Sequence, residues 1–106
     1  RMTTFDDREQ AFEAKFAHDA EMQFNAQARC NKLLGLWAAE KMGKSGSEAE
    51  DYAKTVVTAD IEEADHEDVV RKLTADLQGT VTSEEIRRKR ADLMPEAKAQ
   101  VLSEVG

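Results

Sequence analysis

Apolar residues recur along this chain at helical intervals. Phe5, Phe12 and Phe16 keep to one helical face, and Thr3 or Thr4 followed by Asp6, Asp7 and Glu9 supplies a helix start with acids in its first turn. The pattern predicts an amphipathic segment over residues 4–17. From residue 18 to 27 the apolar content thins to alanines, Met22 and Phe24, and then LLGLWAA, residues 33–39, is apolar on nearly every side. A helix carrying such a stretch must be surrounded by others. Gly43 and Gly46 stop it.

Three further helices follow from caps and periodicity. Ser47 and Glu50 have capping-box spacing ahead of Ala49, Tyr52, Ala53, Val56, Val57 and Ile61, which form one stripe. Asp65 is placed to cap a short helix in which Val69, Val70, Leu73 and Leu77 share a face, with Gly79 just past its end. Thr82 and Glu85 form a second capping box, and Ile86, Leu93, Met94, Ala97, Val101 and Leu102 carry a last helix toward the C-terminus. Pro95 is expected to kink that helix, because it has no N–H and its ring collides with the preceding turn. Four helices joined by short connections make an all-α four-helix bundle the expected fold, preceded by the amphipathic segment.

Composition supports this and narrows the partners. One proline and five glycines punctuate 106 residues, which is one domain's worth of chain. With 22 acidic against 15 basic residues and a net charge of -7, the protein repels phosphate backbones and anionic membrane surfaces unless its positive charge is clustered. Nucleic acid is therefore not an expected partner. A single cysteine, Cys30, has no partner within the chain for a disulfide, and no apolar run of spanning length appears, so a soluble protein of a reducing compartment is expected. Arg1 ahead of Met2 is set aside from fold reasoning.

Several short motifs have plain structural explanations. Gly43-Lys44-Ser45 matches the end of a phosphate-binding loop, but the glycine required five residues earlier is Ala38, and the motif follows a helix instead of a strand. A helix stop is expected there, although Lys44 and the amides after Ser47 could attract an anion. In the run RRKR, residues 87–90, successive side chains on a helix point about 100° apart, so a solvated face supported by Glu84–Arg88 and Glu85–Lys89 pairs is expected. EEADHED, residues 62–68, places Glu62 and His66 four apart without a second histidine or cysteine at ligand spacing, and His18 beside Asp19 and Glu21 is weaker still; no metal is assigned. Cys30 has no histidine placed to activate it and is expected as a small core or boundary residue. No catalytic residue is nominated.

Two features are left over. Burying three phenylalanines gains roughly 5–9 kcal/mol, whereas ordering residues 4–17 costs at least about 14 kcal/mol of backbone entropy. The segment must therefore extend the first bundle helix, depend on a large partner groove, or fold back to complete the core. The second feature is Asn25, Arg29 and Lys32 on one helical face, with Gly35 continuing near that side. Two cations and an amide beside a gap without a side chain suit an anionic ligand; a solvated face beside a tight helix contact is the alternative.

The run from Thr3, TTFDDREQAFEAKFAHDAEMQFNAQARCNKLLGLWAAEKMG, closely resembles the start of the zeta subunit of alpha-proteobacterial F-type ATP synthases, and the likeness continues through SGSEAEDYAKTVVTADIEEADHEDVVRKL. The resemblance implies a four-helix bundle, residues 19–106, that inhibits ATP hydrolysis by the synthase's catalytic head. It also implies that residues 1–18 are the inhibitory segment, helical or disordered when free, taken up as a helix between alpha and beta subunits and against the gamma subunit, where it blocks rotation in the hydrolytic direction. On the matching positions, Phe5, Arg8, Phe12, Lys15 and Phe16 are the expected contacts with the synthase, aromatic anchors filling pockets and charges fixing register. The resemblance further implies ADP or ATP as a regulatory ligand of the bundle, with no cofactor and no turnover, and a cytoplasmic protein at the face of the membrane-bound synthase. Asn25, Arg29 and Lys32 are the expected nucleotide contacts from their own spacing.

Overall fold

A computed structural model describes residues 20–61 and 67–105; the segment 1–18, with Phe5, Arg8, Phe12, Lys15, Phe16 and His18, and the Glu62 and His66 pair lie outside the described residues. The described chain forms four helices: α1 (Ala20–Lys41), α2 (Gly46–Ile61), α3 (Glu67–Asp76) and α4 (Ser83–Val105). The fold class is the all-α, four-helix one that the periodicity predicts.

Each helix packs on two others. α1 lies against α2 and α4, and α3 closes the ring by touching both α2 and α4. The main core is built from Leu34 and Ala38 of α1, Val56 of α2, Val69, Val70 and Leu73 of α3, and Ile86 of α4, with Leu77 and Val81 from the α3–α4 connection. Trp37, Tyr52 and Leu93 pack against it from the rim. A second, smaller cluster joins the start of α1 to the end of α4 through Met22, Ala26 and Val101, flanked by Met94 and Leu102. The apolar stretch around Leu34 is thus surrounded as its pattern requires.

Local chemistry sets the helix ends. After α1 the Gly43 N–H donates to Glu40 O at 3.0 Å and the Lys44 N–H to Ala39 O at 2.9 Å, with Gly43 at φ 81°, the paired-bond stop that uses a left-handed residue. At the start of α4, the Thr82 N–H donates to Glu85 Oε1 at 3.0 Å and the Glu85 N–H to Thr82 Oγ1 at 3.1 Å, the predicted capping box. The Ser47 box differs from expectation. α2 already begins at Gly46, so Ser47 lies inside its first turn, and Glu50 reaches across to Lys32 on α1. Pro95 does not end α4, which continues to Val105; the residue faces solvent, where water can satisfy the carbonyl its missing N–H leaves over.

The end of α3 departs from expectation by one residue. The Gln78 N–H donates to Ala75 O at 3.0 Å and the Gly79 N–H to Thr74 O at 3.2 Å, so the left-handed backbone, which includes Gly79 at φ 74°, begins already at Gln78, at φ 55°. A side chain there is strained and exposed, with nothing to offset it. Gln78→Gly is expected to stabilise the bundle by about 1 kcal/mol, seen as a higher urea midpoint at unchanged slope. No increase would mean that the unfolded chain's added freedom cancels the relief.

Candidate functional site

The sequence reading places Asn25, Arg29 and Lys32 on one face of α1, and they line one open groove of about 450 Å³. Ala28 and Val57 supply apolar floor from α1 and α2, and Val101 and Glu104 complete it from α4. The groove therefore combines an apolar base with cations at its walls. Its walls come from three helices because α1 packs between α2 and α4.

Neither cation is unpaired. Arg29 Nη1 donates to Gln100 Oε1 at 2.9 Å, while Nη2 donates to Glu104 Oε1 at 2.8 Å and lies 2.7 Å from Glu104 Oε2. Lys32 Nζ stands 3.7 Å from Glu50 Oε1, both side chains being about half exposed. Gln100 and Glu104 lie more than 70 positions from Arg29, so no local spacing could have announced them.

Gly35 does not leave a gap for a ligand. A Cβ built there would stand 2.8 Å from the Ala53 Cα and 3.2 Å from Val56 Cγ2, so the missing side chain admits the α2 backbone. The tight helix contact expected as the alternative at Gly35 is present. Gly43-Lys44-Ser45 is likewise the stop after α1, and Lys44 Nζ sits 3.7 Å from Glu48 of the first turn of α2.

The run of residues 87–90 corrects the solvated-face expectation in part. Arg87 does face solvent, where it forms a two-pronged pair with Glu67 at 3.0 and 2.6 Å; that hydrogen bonding holds the Glu67 carboxyl below its ordinary range and the Arg87 guanidinium above its own. Glu85 is occupied by the Thr82 cap, which lowers its carboxyl too. Arg90, by contrast, turns inward. Its Nε donates to Asn31 Oδ1 at 3.0 Å, Asn31 Nδ2 donates to Asp60 Oδ2 at 2.5 Å, and Arg90 Nη2 lies 4.0 Å from the same carboxylate oxygen. Asn31 is fully buried, and the Arg90 and Asp60 side chains are only 12% and 11% exposed. The signal was present but local: Asn31 precedes Leu34 by three residues and Ala38 by seven, which puts a polar group on the core face.

Cys30 is fully buried, as expected, its thiol donating to Arg90 O at 3.3 Å. Burial pushes the thiol's pKa up and the Arg90 charge only partly offsets this, the opposite of an activated nucleophile. Among the described residues no group of His, Cys, Asp and Glu is arranged to hold a metal ion. No helix among them is long and apolar enough to cross a membrane. Among the described residues, Phe24, near the start of α1, is the large apolar side chain that stands out at the surface, 56% exposed.

Comparison with known proteins bears on most of the chain. A structure solved by solution NMR is 58% identical, with a TM-score of 0.72, over 78% of this chain and 98% of that one. No curated protein matches. The family model described as ATPase inhibitor subunit zeta matches residues 2–100, from ahead of the phenylalanine stripe to within a few residues of the end of α4. A match that takes in three helices whole, most of α4 and the stretch carrying the phenylalanine stripe fixes the assignment: the chain belongs to the ATPase inhibitor subunit zeta family.

Proposed function

We propose that this protein inhibits ATP hydrolysis by the catalytic head of an F-type ATP synthase. Residues 1–18 act as the inhibitory segment, entering as a helix between alpha and beta subunits and against the gamma subunit, so that rotation in the hydrolytic direction is blocked. The observation that carries this is the inhibitor-family match beginning at residue 2, which takes in Phe5, Arg8, Phe12, Lys15 and Phe16. Physical reasoning supports a partner groove, because three rings alone do not offset the entropy of ordering the segment. Exposed Phe24 lies on the same chain just beyond it and extends the apolar series onto α1. The protein acts from the cytoplasmic side as a regulator and not a catalyst, and the bundle supplies the body that keeps the wedge in place.

Deleting residues 2–17 is expected to abolish inhibition of ATP hydrolysis by the isolated head while the helical circular dichroism and cooperative melting of the bundle persist. Full inhibition by the truncated protein would refute the wedge.

A second reading is favoured by the groove: a nucleotide-sensing bundle without wedge action. Arg29 and Lys32 suit the phosphates of ADP or ATP, Asn25 supplies an amide, and Ala28, Val57 and Val101 offer an apolar floor. Nucleotide binding at the groove is by itself compatible with the wedge, since a ligand of the bundle can tune an inhibitor; the second reading differs in doing without the wedge. Saturable amide shifts at Asn25, Arg29 and Lys32 on adding ADP would support the sensor, and unchanged spectra there would remove it.

A further inference from the structure

The groove cations are held unequally, and the difference suggests how a ligand enters. Arg29 is anchored: its side chain is 25% exposed, and its guanidinium is gripped on one edge by Gln100, itself linked to Glu96 through a 3.2 Å hydrogen bond. Glu104 is 55% exposed and sits in the last turn of α4, next to the end of the described chain. Its carboxylate offers both oxygens to Arg29 Nη2, at 2.8 and 2.7 Å. A carboxylate in that place presents to the guanidinium the same pair of oxygens that a phosphate would.

We propose that Glu104 is a tethered competitor for the groove, occupying the anion position on Arg29 until a diphosphate displaces it. The proposal rests on the nucleotide-groove reading above and adds its regulation. Because Glu104 rides on the final turn of α4, its displacement breaks the ion pair that ties that turn to α1, so ligand occupancy is transmitted to the C-terminal end of the bundle. The apparent affinity of the groove is its intrinsic affinity multiplied by the fraction of time Arg29 is released. An exposed ion pair holds its partners only modestly more often than not, so the competitor lowers affinity several-fold without closing the site. Glu50 does the same to Lys32 more weakly, its charge lying at 3.7 Å.

The test uses the full chain titrated with ADP, pyrophosphate and adenosine, followed by calorimetry and amide shifts. Glu104→Gln keeps the size of the side chain and removes its charge. The variant is expected to bind ADP and pyrophosphate about three- to five-fold more tightly than the wild type and adenosine equally. Glu84→Gln changes the net charge identically from the opposite end of α4 and is expected to leave all three unchanged. In the wild type, ADP should shift the amides of residues 101–105 together with those of Arg29. Equal ADP affinity in the wild type and Glu104→Gln overturns the competitor while leaving the groove intact, and equal tightening by Glu84→Gln overturns it as a general charge effect. No saturable shift at Asn25, Arg29 and Lys32 in the wild type overturns the groove reading, and the competitor with it.

Discussion

Replacing Gly35 by valine is expected to lower the stability of the bundle by about 4 kcal/mol or more, a large part of what a domain of this size possesses. The reason lies in what a Cβ meets. The nearest atom is the Ala53 Cα at 2.8 Å, which is backbone and cannot swing aside; the Ala53 Cβ at 3.1 Å and Val56 Cγ2 at 3.2 Å follow. Only separation of α1 from α2 relieves that contact, and separation loosens the packing of Ala53 and Val56, both fully buried. Alanine calibrates the argument, because two effects compete. Exchanging glycine for alanine inside a helix gains about 1 kcal/mol from propensity, while overpacking against backbone costs about 2–3 kcal/mol, so Gly35→Ala should still lose about 1–2 kcal/mol.

Urea unfolding of the single variants and of the Gly35→Ala, Ala53→Gly pair checks the assignment. The pair removes the methyl contact but leaves the Cα in place, so recovery should be partial. Complete recovery would place the clash on the Ala53 methyl, and a neutral Gly35→Ala would show a looser seam. The same variants bear on the groove. Arg29 and Lys32 stand on α1 and Val57 on α2, so a widened seam also moves the floor away from the walls and should weaken any anion binding.

What the sequence made legible was set by distance along the chain. Helix faces were readable because Val69, Val70 and Leu73, or Ile86, Ala97 and Val101, are selected within one helix by a 3.6-residue repeat, and all six are buried. The Thr82–Glu85 cap and the stop at Gly43 were readable for the same reason, since their hydrogen bonds close within a few residues. Near misses came where two local signals lay side by side. Gly79 is left-handed as its position suggests, yet the last turn of α3 ends one position sooner and forces Gln78 into the same conformation.

The candidate site was half visible. Asn25, Arg29 and Lys32 share a face by spacing alone, so the α1 wall of the groove could be named. The partners that neutralise it could not, because Gln100, Glu104 and Glu50 are selected by how α4 and α2 pack on α1. Arg90 fails in the opposite direction. Within RRKR it is one of four cations at successive positions, and only tertiary packing distinguishes the residue that turns inward from Arg87, which pairs at the surface with Glu67.

That inward turn carries the second large effect. Asp60→Ala is expected to cost about 3–5 kcal/mol and to lower the thermal midpoint by about 15 °C or more. Asp60 compensates two buried groups at once, accepting from Asn31 Nδ2 at 2.5 Å and standing 4.0 Å from Arg90 Nη2. That Arg90 nitrogen is buried without a hydrogen bond among the described residues, so the carboxylate's charge is what offsets its desolvation. Removing Asp60 leaves a cation and an amide donor unpaired where α1, α2 and α4 meet. Asp60→Asn separates the two roles, because an amide oxygen can still accept from Asn31 but carries no charge: a loss close to that of alanine assigns the cost to the Arg90 charge, and a small loss assigns it to the Asn31 hydrogen bond. Breaking a buried pair differs from replacing it. Asp60→Leu combined with Asn31→Leu and Arg90→Met should therefore recover most of the stability lost by Asp60→Ala, and measured thermal midpoints that fail to rise in the triple variant would show the network to be a net stabiliser instead of a costly one kept in balance.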